Sequence, residues 1–349
     1  MANDGGVWVK MGNAAPAGAA VINDAASNYD NKDAGVTIDG KTYDIYTFTT
    51  ATTTRSVRLT DEARARITDE DLLMAVATTP IPDDFTGDPA TLFDRKYRNQ
   101  LRNAFEITPA VDPGLSLTVD TPGLVDALIV AGGGGGGCGT AGGAGAGGYL
   151  EASNIYLSAD THPVTVGSGG AGAMPTGSGD AGVSGNAGGS SRIANYYAPG
   201  GSPSIGWTRR NDGKACTQIG IDGPSGSGAS GGSAGSLAAG GAGAAPLGNN
   251  GGAGSLADEG RNRSGGGGGG AGGAGGDAAG TTGGAAGLGL SSSITGSPVT
   301  RAAGGAGCGG STLGANGEAN TGNGGGGTGK AGEVGGDGGS GIVIVRVEI

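Results

Sequence analysis

Two stretches of the sequence have the residue types and spacing of phosphate-binding loops. GGGGTGKA at residues 324–331 spells G-x4-G-K, in which backbone amides and a lysine would cradle phosphates, and Gly132 to Gly137 satisfies G-x-G-x-x-G. Both chemistries require a helix directly after the loop, because its first amides hold the phosphate. The continuations GEVGGDGG and CGTAGGAGAGG supply none, and Ala331 stands where a magnesium-ligating Ser or Thr belongs. Each match is a by-product of glycine content. Nucleophilic catalysis is no better provided for: the one histidine, His162, sits beside Pro163 in an expected strand, and no carboxylate constellation stands out. Cys138, Cys216 and Cys308 are far apart, odd in number and without CxxC spacing, which argues for small buried thiols over a disulfide framework or zinc site. The reading is of a non-enzyme with no catalytic residue, metal or cofactor.

Recognition is better served. NYYAPGGSPSIGWTRRNDGKACTQIG, residues 195–220, interrupts a glycine-dominated region with Tyr196, Tyr197, Trp207, Arg209, Arg210 and Lys214. Aromatic rings and arginines give contact area and directed hydrogen bonds at low entropic cost, as sugar- or protein-binding loops require. The alternative is that the rings cap the end of the fold. RNR at 261–263 brings Arg261 and Arg263 into a smaller polar break, a second loop tip.

These residues need a scaffold, and composition divides it. Of the 85 glycines in 349 residues, nine lie in residues 1–130. The formal net charge of −11 argues against nucleic acid or an anionic membrane as partner. MANDGGVWVK lacks the pattern of a secretory signal and no segment approaches a spanning helix, so a soluble protein assembled in a cytoplasm is expected.

Residues 1–110 read as an α+β domain. GVTIDGKTYDIYTF has the alternation and the Asp39-Gly40 turn of a hairpin. A helix is expected from Thr68 to about Thr78, and another from Asp88, an N-cap before Pro89. The second carries Leu92, Phe93, Tyr97, Leu101 and Phe105 on one face, and Arg95, Lys96, Arg98 and Arg102 on the other, which is either solvated or turned to a partner. Next, Leu115 to Val119 and Leu124 to Val130 are two strands joined by the turn chemistry of Asp120-Thr-Pro-Gly123, a second expected hairpin.

Residues 111–349 enter and leave their glycine through strands, with YLEASNIYLSADTHPVTVG at 149–167 and GIVIVRVEI at 341–349. In GGGGGGAGGAGGD the larger residues Ala271, Ala274 and Asp277 are three apart, as are Val334, Asp337 and Ser340. Polyproline II has three residues per turn, so this spacing makes one ridge and two bare faces. An uninterrupted run such as Gly132 to Gly137 suits a helix enclosed on every side. The expected architecture is therefore an α+β N-terminal domain followed by a strand-anchored, glycine-rich polyproline-II bundle or sandwich. Collagen needs strict Gly-X-Y with abundant proline, whereas proline totals 14 here and the phase breaks repeatedly.

LSLTVDTPGLVDALIVAGGGGGG, then PVTVGSGGAG, SGNAGGSS and the closing GGSGIVIVRVEI resemble the glycine-rich domain of many phage tail proteins, over roughly residues 112–349. Some members are receptor-binding adhesins at tail-fibre tips, similar to those of T-even-like phages; with its closing apolar strand and its own N-terminal domain, this chain more closely resembles a minor tail protein of an actinobacterial phage. The resemblance implies a virion protein of the tail, assembled in the host cytoplasm. It implies attachment to other tail proteins through residues 1–110 and contact of loops around 195–215 and 258–264 with a host-surface glycan or protein. A homo-oligomer such as a trimer is compatible with it. A purely architectural tail or capsid spacer is the alternative, and an ice-binding face of extended glycine helices fits the geometry but not the companion domain.

Overall fold

The computed structural model of the chain describes residues 18–50, 114–174, 183–209, 215–216, 218–232, 238–255, 263–329 and 333–349. They fall within one compact unit made of residues 1–52 and 113–349. Its strands are β1 (Val21–Ile22), β2 (Asn31–Ile38), β3 (Lys41–Phe48), β4 (Ser116–Thr121), β5 (Gly123–Val130), β6 (Tyr149–Leu157), β7 (Thr161–Thr165), β8 (Ser191–Ile193), β9 (Tyr196–Ala198), β10 (Thr208–Arg209), β11 (Ala215–Cys216), β12 (Leu290–Ser292), β13 (Val299–Arg301) and β14 (Ile342–Glu348). Among the described residues no helix is long and apolar enough to cross a membrane.

Two five-stranded antiparallel sheets, ordered β2-β3-β14-β5-β6 and β1-β4-β7-β8-β9, form a sandwich. Alternate residues of β14 go to opposite faces. Val343, Val345 and Val347 meet Phe48, Ile129 and Leu117 between the sheets. Ile342 and Ile344 join Leu128, Val130 and Ile45 on the other face, where the glycine region covers them with Ala146, Ala271, Ala302 and Ile294. A sheet covered on both sides needs unbroken apolar strands, which accounts for ALIV in β5 and IVIV in β14.

Two expectations are corrected. The first 110 residues do not show an α+β domain: the described part is β, with only a 3-10 turn at Asp24–Ala26, and there is no α-helix among the described residues. The 41–50 hairpin does form, with Asp39 and Gly40 both at positive φ. Its apolar face, Ile45, Tyr46 and Phe48, is covered by pairing with the distant β14, Phe48 opposite Val343, so the hairpin is an edge of the glycine region's own sheet. The helices expected at 68–78 and from Asp88 lie outside the described residues. Nor do β4 and β5 make a hairpin: only Pro122 separates them, and they belong to different sheets. The chain stays extended across the sandwich edge, where Gly123 passes so close to Ala19 and Ala20 that a Cβ would fall 2.3 Å from the Ala20 nitrogen.

The β2–β3 hairpin also carries an acid-sensitive cluster. Lys32 bridges Asp24 and Asp44 at 2.6 and 2.7 Å, and the Tyr46 hydroxyl donates to Asp24 at 2.8 Å. The Lys32 hydrogen bond holds the Asp24 carboxyl below its ordinary value of 3.8. Burial pushes Asp30 up, but hydrogen bonds from Thr50 and Thr49 outweigh it and leave that carboxyl low as well. A carboxyl whose value falls on folding adds stability above its unfolded value and loses it as pH falls through the folded one. The melting temperature is therefore expected to drop below about pH 4, and less steeply in Asp30→Asn; equal slopes in thermal melts from pH 5 to 2 would discount the cluster.

From the sandwich the glycine region runs out and back in single extended segments. Beyond Val130, residues 132–137 lead away from the sheets and 141–148 return to β6; Gly134 N–H donates to Gly145. The amides of Gly132 and Gly135 donate to 183–190, and those of Gly133 and Gly136 to 333–341, both running antiparallel. The carbonyls of Gly132 and Gly135 accept from 199–207, those of Gly133 and Gly136 from 168–173, and those of Gly134 and Gly137 from 323–329, all parallel. Hydrogen bonding thus repeats every third residue, and one segment is ringed by six others. Each Cα faces a neighbour's backbone: a Cβ on Gly132, Gly134 or Gly135 would lie 2.0, 2.1 and 2.1 Å from the carbonyl oxygens of Ser168, Ser202 and Ala171. Six glycines follow an apolar strand because no larger residue fits at the centre of this packing. Nearer the surface, Asp and Asn side chains complete the pattern, Asp337 accepting from Gly172, Asp277 from Ala253 and Asn323 from Ala303.

Candidate recognition surface

Because segments alternate in direction, their reversals collect at two ends, one against the sandwich and one far from it. Register shows which is which. Gly189 pairs with Ser168 and Asn186 with Ala171, so residues 174 and 183 share the far end, as does the 138–140 turn with Gly139 and Thr140 at positive φ. The segment 199–207 runs outward from β9, so Trp207 is at that end too, its N–H donating to the Gly139 carbonyl at 3.0 Å. The segment 263–270 runs inward, which puts Arg263 at its far tip beside the isolated bridge between Ser264 and Gly309.

The structure brings two of the expected residues into contact. The Arg263 guanidinium lies 5.7 Å from the Trp207 ring centre, a cation–π distance, although 56 residues separate them in sequence. Both side chains are half-buried, and the Arg263 Nε is buried with no hydrogen-bond partner. The guanidinium is thus left with a donor whose desolvation is uncompensated by any described group.

Tyr196 and Tyr197 are not part of this cluster. They sit on β9, in the hairpin with β8 at the sandwich end. Tyr196 packs against the inter-sheet core, while Tyr197 is 53% exposed and its hydroxyl meets Ser190 Oγ at 2.9 Å. Arg209 belongs to β10, which pairs with β11 at the far end, Arg209 opposite Ala215. Arg210, Lys214 and Arg261 lie outside the described residues.

Large apolar side chains at the far end escaped the sequence reading. Met174 is 72% exposed, Ile219 72% and Val334 50%. Gly335 N–H donates to Ala173, which sets Val334 and Met174 on adjoining segments, and Gln218 pairs with Ser230 near Thr140, which sets Ile219 at the same end. Their signal was isolation: single large apolar residues among glycines have no core to enter.

The motifs that mimic catalysis are used up by packing. Amides of the 324–329 stretch are donated to neighbouring segments, Gly325 to Gly134, Gly327 to Ala306 and Thr328 to Gly137. His162 is buried in β7, its Nε2 donating to the Ser158 carbonyl at 3.0 Å. Cys138 and Cys308 are buried free thiols, and burial pushes the Cys308 thiol up to about 11, which keeps it protonated. Among the described residues no group of His, Cys, Asp and Glu could hold a metal ion.

Residues 114–348 match the family model described as a glycine-rich domain. No curated protein matches the chain.

Proposed function

The chain belongs to the glycine-rich domain family, and from that premise we propose that it is a non-enzymatic virion protein of a phage tail that presents this domain to a host-surface receptor, a glycan or a protein. The Trp207–Arg263 contact at the far end supports this reading most directly. A ring with a guanidinium over it is an amphipathic platform, suited to sugar faces and to acidic or planar groups of a protein. The exposed Met174, Ile219 and Val334 add apolar area at the same end. In this reading tail attachment lies with residues 1–110.

The test is adsorption of particles carrying Trp207→Ala with Arg263→Ala against particles carrying Tyr197→Ala, which alters an exposed ring at the opposite end. Host binding is expected to fall at least about tenfold in the first and to stay unchanged in the second, a loss equal to one anchoring residue of more than about 1.4 kcal/mol. One observation favours a purely architectural component: the Trp207 face is already engaged by Arg263, as a cap on the segment ends would be. Full adsorption of both variants would support that alternative and remove the receptor role.

A further inference from the structure

The packing around 323–329 has one position unfilled. Its amides go to 132–137, to 302–308 and to 312–318, while its carbonyl rows at Gly325 and Thr328 and at Asn323 and Gly326 accept from 141–148 and 333–341. Those five neighbours leave the carbonyls of Gly324 and Gly327, three residues apart, with no donor among the described residues. In the fully ringed 132–137 segment, the amide and carbonyl of one residue address adjoining neighbours. By that rule the row at Gly324 and Gly327 must open between 302–308 and 312–318. A groove is found there, of about 230 Å³, lined by Gly304 to Ala306 and Ala315 to Glu318 over Gly324 and Gly326. A second groove, of about 340 Å³, runs along the other flank of 312–318. Both are walled mainly by backbone and small residues, and neither has the apolar and aromatic lining expected of a small-molecule site.

Between the two grooves the segment 312–318, Thr-Leu-Gly-Ala-Asn-Gly-Glu, stands as a ridge. The amides of Leu313 and Asn316, again three apart, have no acceptor among the described residues, and neither have those of Ala315 and Glu318. Leu313 is 65% exposed, and Glu318 is the ridge's one charged side chain. Exposed backbone edges are ordinarily protected by charge, proline or a covering loop, and this edge has little of the first and none of the second. A donor row at three-residue spacing thus lies beside a vacant acceptor row of the same spacing.

We infer that the chain self-associates through this edge, the 312–318 ridge of each copy entering the groove between 302–308 and 312–318 of the other. One molecule's own ridge borders its groove and cannot fill it, whereas a twofold axis lets ridge and groove exchange, since an isologous contact places the same patch on both partners. The glycine packing then continues across the axis. This inference goes beyond the receptor reading and does not depend on it.

Sedimentation of the full chain over a micromolar concentration series tests it, beside Ala306→Arg on the groove wall and Ala315→Arg on the ridge, both exposed positions. The wild type is expected to dimerise, and each variant to dimerise at least about tenfold more weakly with an unchanged thermal melt. A wild type that stays monomeric throughout overturns the inference. So does a folded variant that dimerises like the wild type. Should one variant melt early, the other carries the comparison.

Discussion

Gly135→Ala is expected to destabilise the protein by about 3 kcal/mol or more, the upper range for overpacking, because the added carbon has nowhere to go. It would lie 2.1 Å from the Ala171 carbonyl oxygen, an atom of a backbone itself held on other sides. Relief requires separating two segments and loosening hydrogen bonds on both. Gly273→Ala is the informative partner: the nearest atom is Leu288 Cβ at 3.5 Å, an ordinary contact, and the backbone there does not require glycine. At such a site alanine restricts the unfolded chain and is neutral or stabilising by about 0.4–1 kcal/mol. The same substitution is thus expected to be strongly destabilising at one glycine and neutral or stabilising at another in the same domain. Equal melting temperatures for the two variants would mean that the enclosed packing is not what holds 132–137.

Removing residues 342–349 is expected to abolish folding of the described unit. β14 lies between β3 and β5 and supplies both cores, Val343, Val345 and Val347 to one and Ile342 and Ile344 to the other. Each large apolar truncation in such a core costs about 2–5 kcal/mol, so losing the whole strand exceeds the usual stability of a domain. It also frees the Asp126 carboxylate from Arg346, paired at 2.7 Å, and leaves Tyr43 without the guanidinium 4.6 Å from its ring centre. Amide exchange reads the outcome: protection surviving at Gly132 to Gly137 in the truncated protein would show that the glycine segments order without the strand.

Individual strands were readable from residue order, although the α+β class expected for the first 110 residues was not. The strands expected at 41–50, 124–130 and 341–349 form as Lys41–Phe48, Gly123–Val130 and Ile342–Glu348, and the three-residue spacing of Ala271, Ala274 and Asp277 matches the spacing at which backbone bonds repeat. What stayed hidden was long-range. Nothing in KTYDIYTF states that its partner is IVIVRVE nearly three hundred positions later, since any apolar strand would satisfy the same pattern. Asp120-Thr-Pro-Gly123 carries turn residues, yet the requirement to serve two sheets keeps that stretch extended. The aromatic cluster was likewise grouped by adjacency in sequence, while segment direction sends Tyr197 and Trp207 to opposite ends and couples Trp207 to Arg263 instead.

The alternating course of the segments has an evolutionary consequence. In the interior, backbone groups make the bonds, so selection there asks chiefly for smallness and a length that preserves register. Reversals at the outer end keep some such bonds, the Gly139 carbonyl accepting from Trp207 and that of Gly280 from Ser255 and Ser264, but loop closure grows only slowly more costly with length. Such tips can therefore be lengthened, shortened or rewritten one at a time over an unaltered frame.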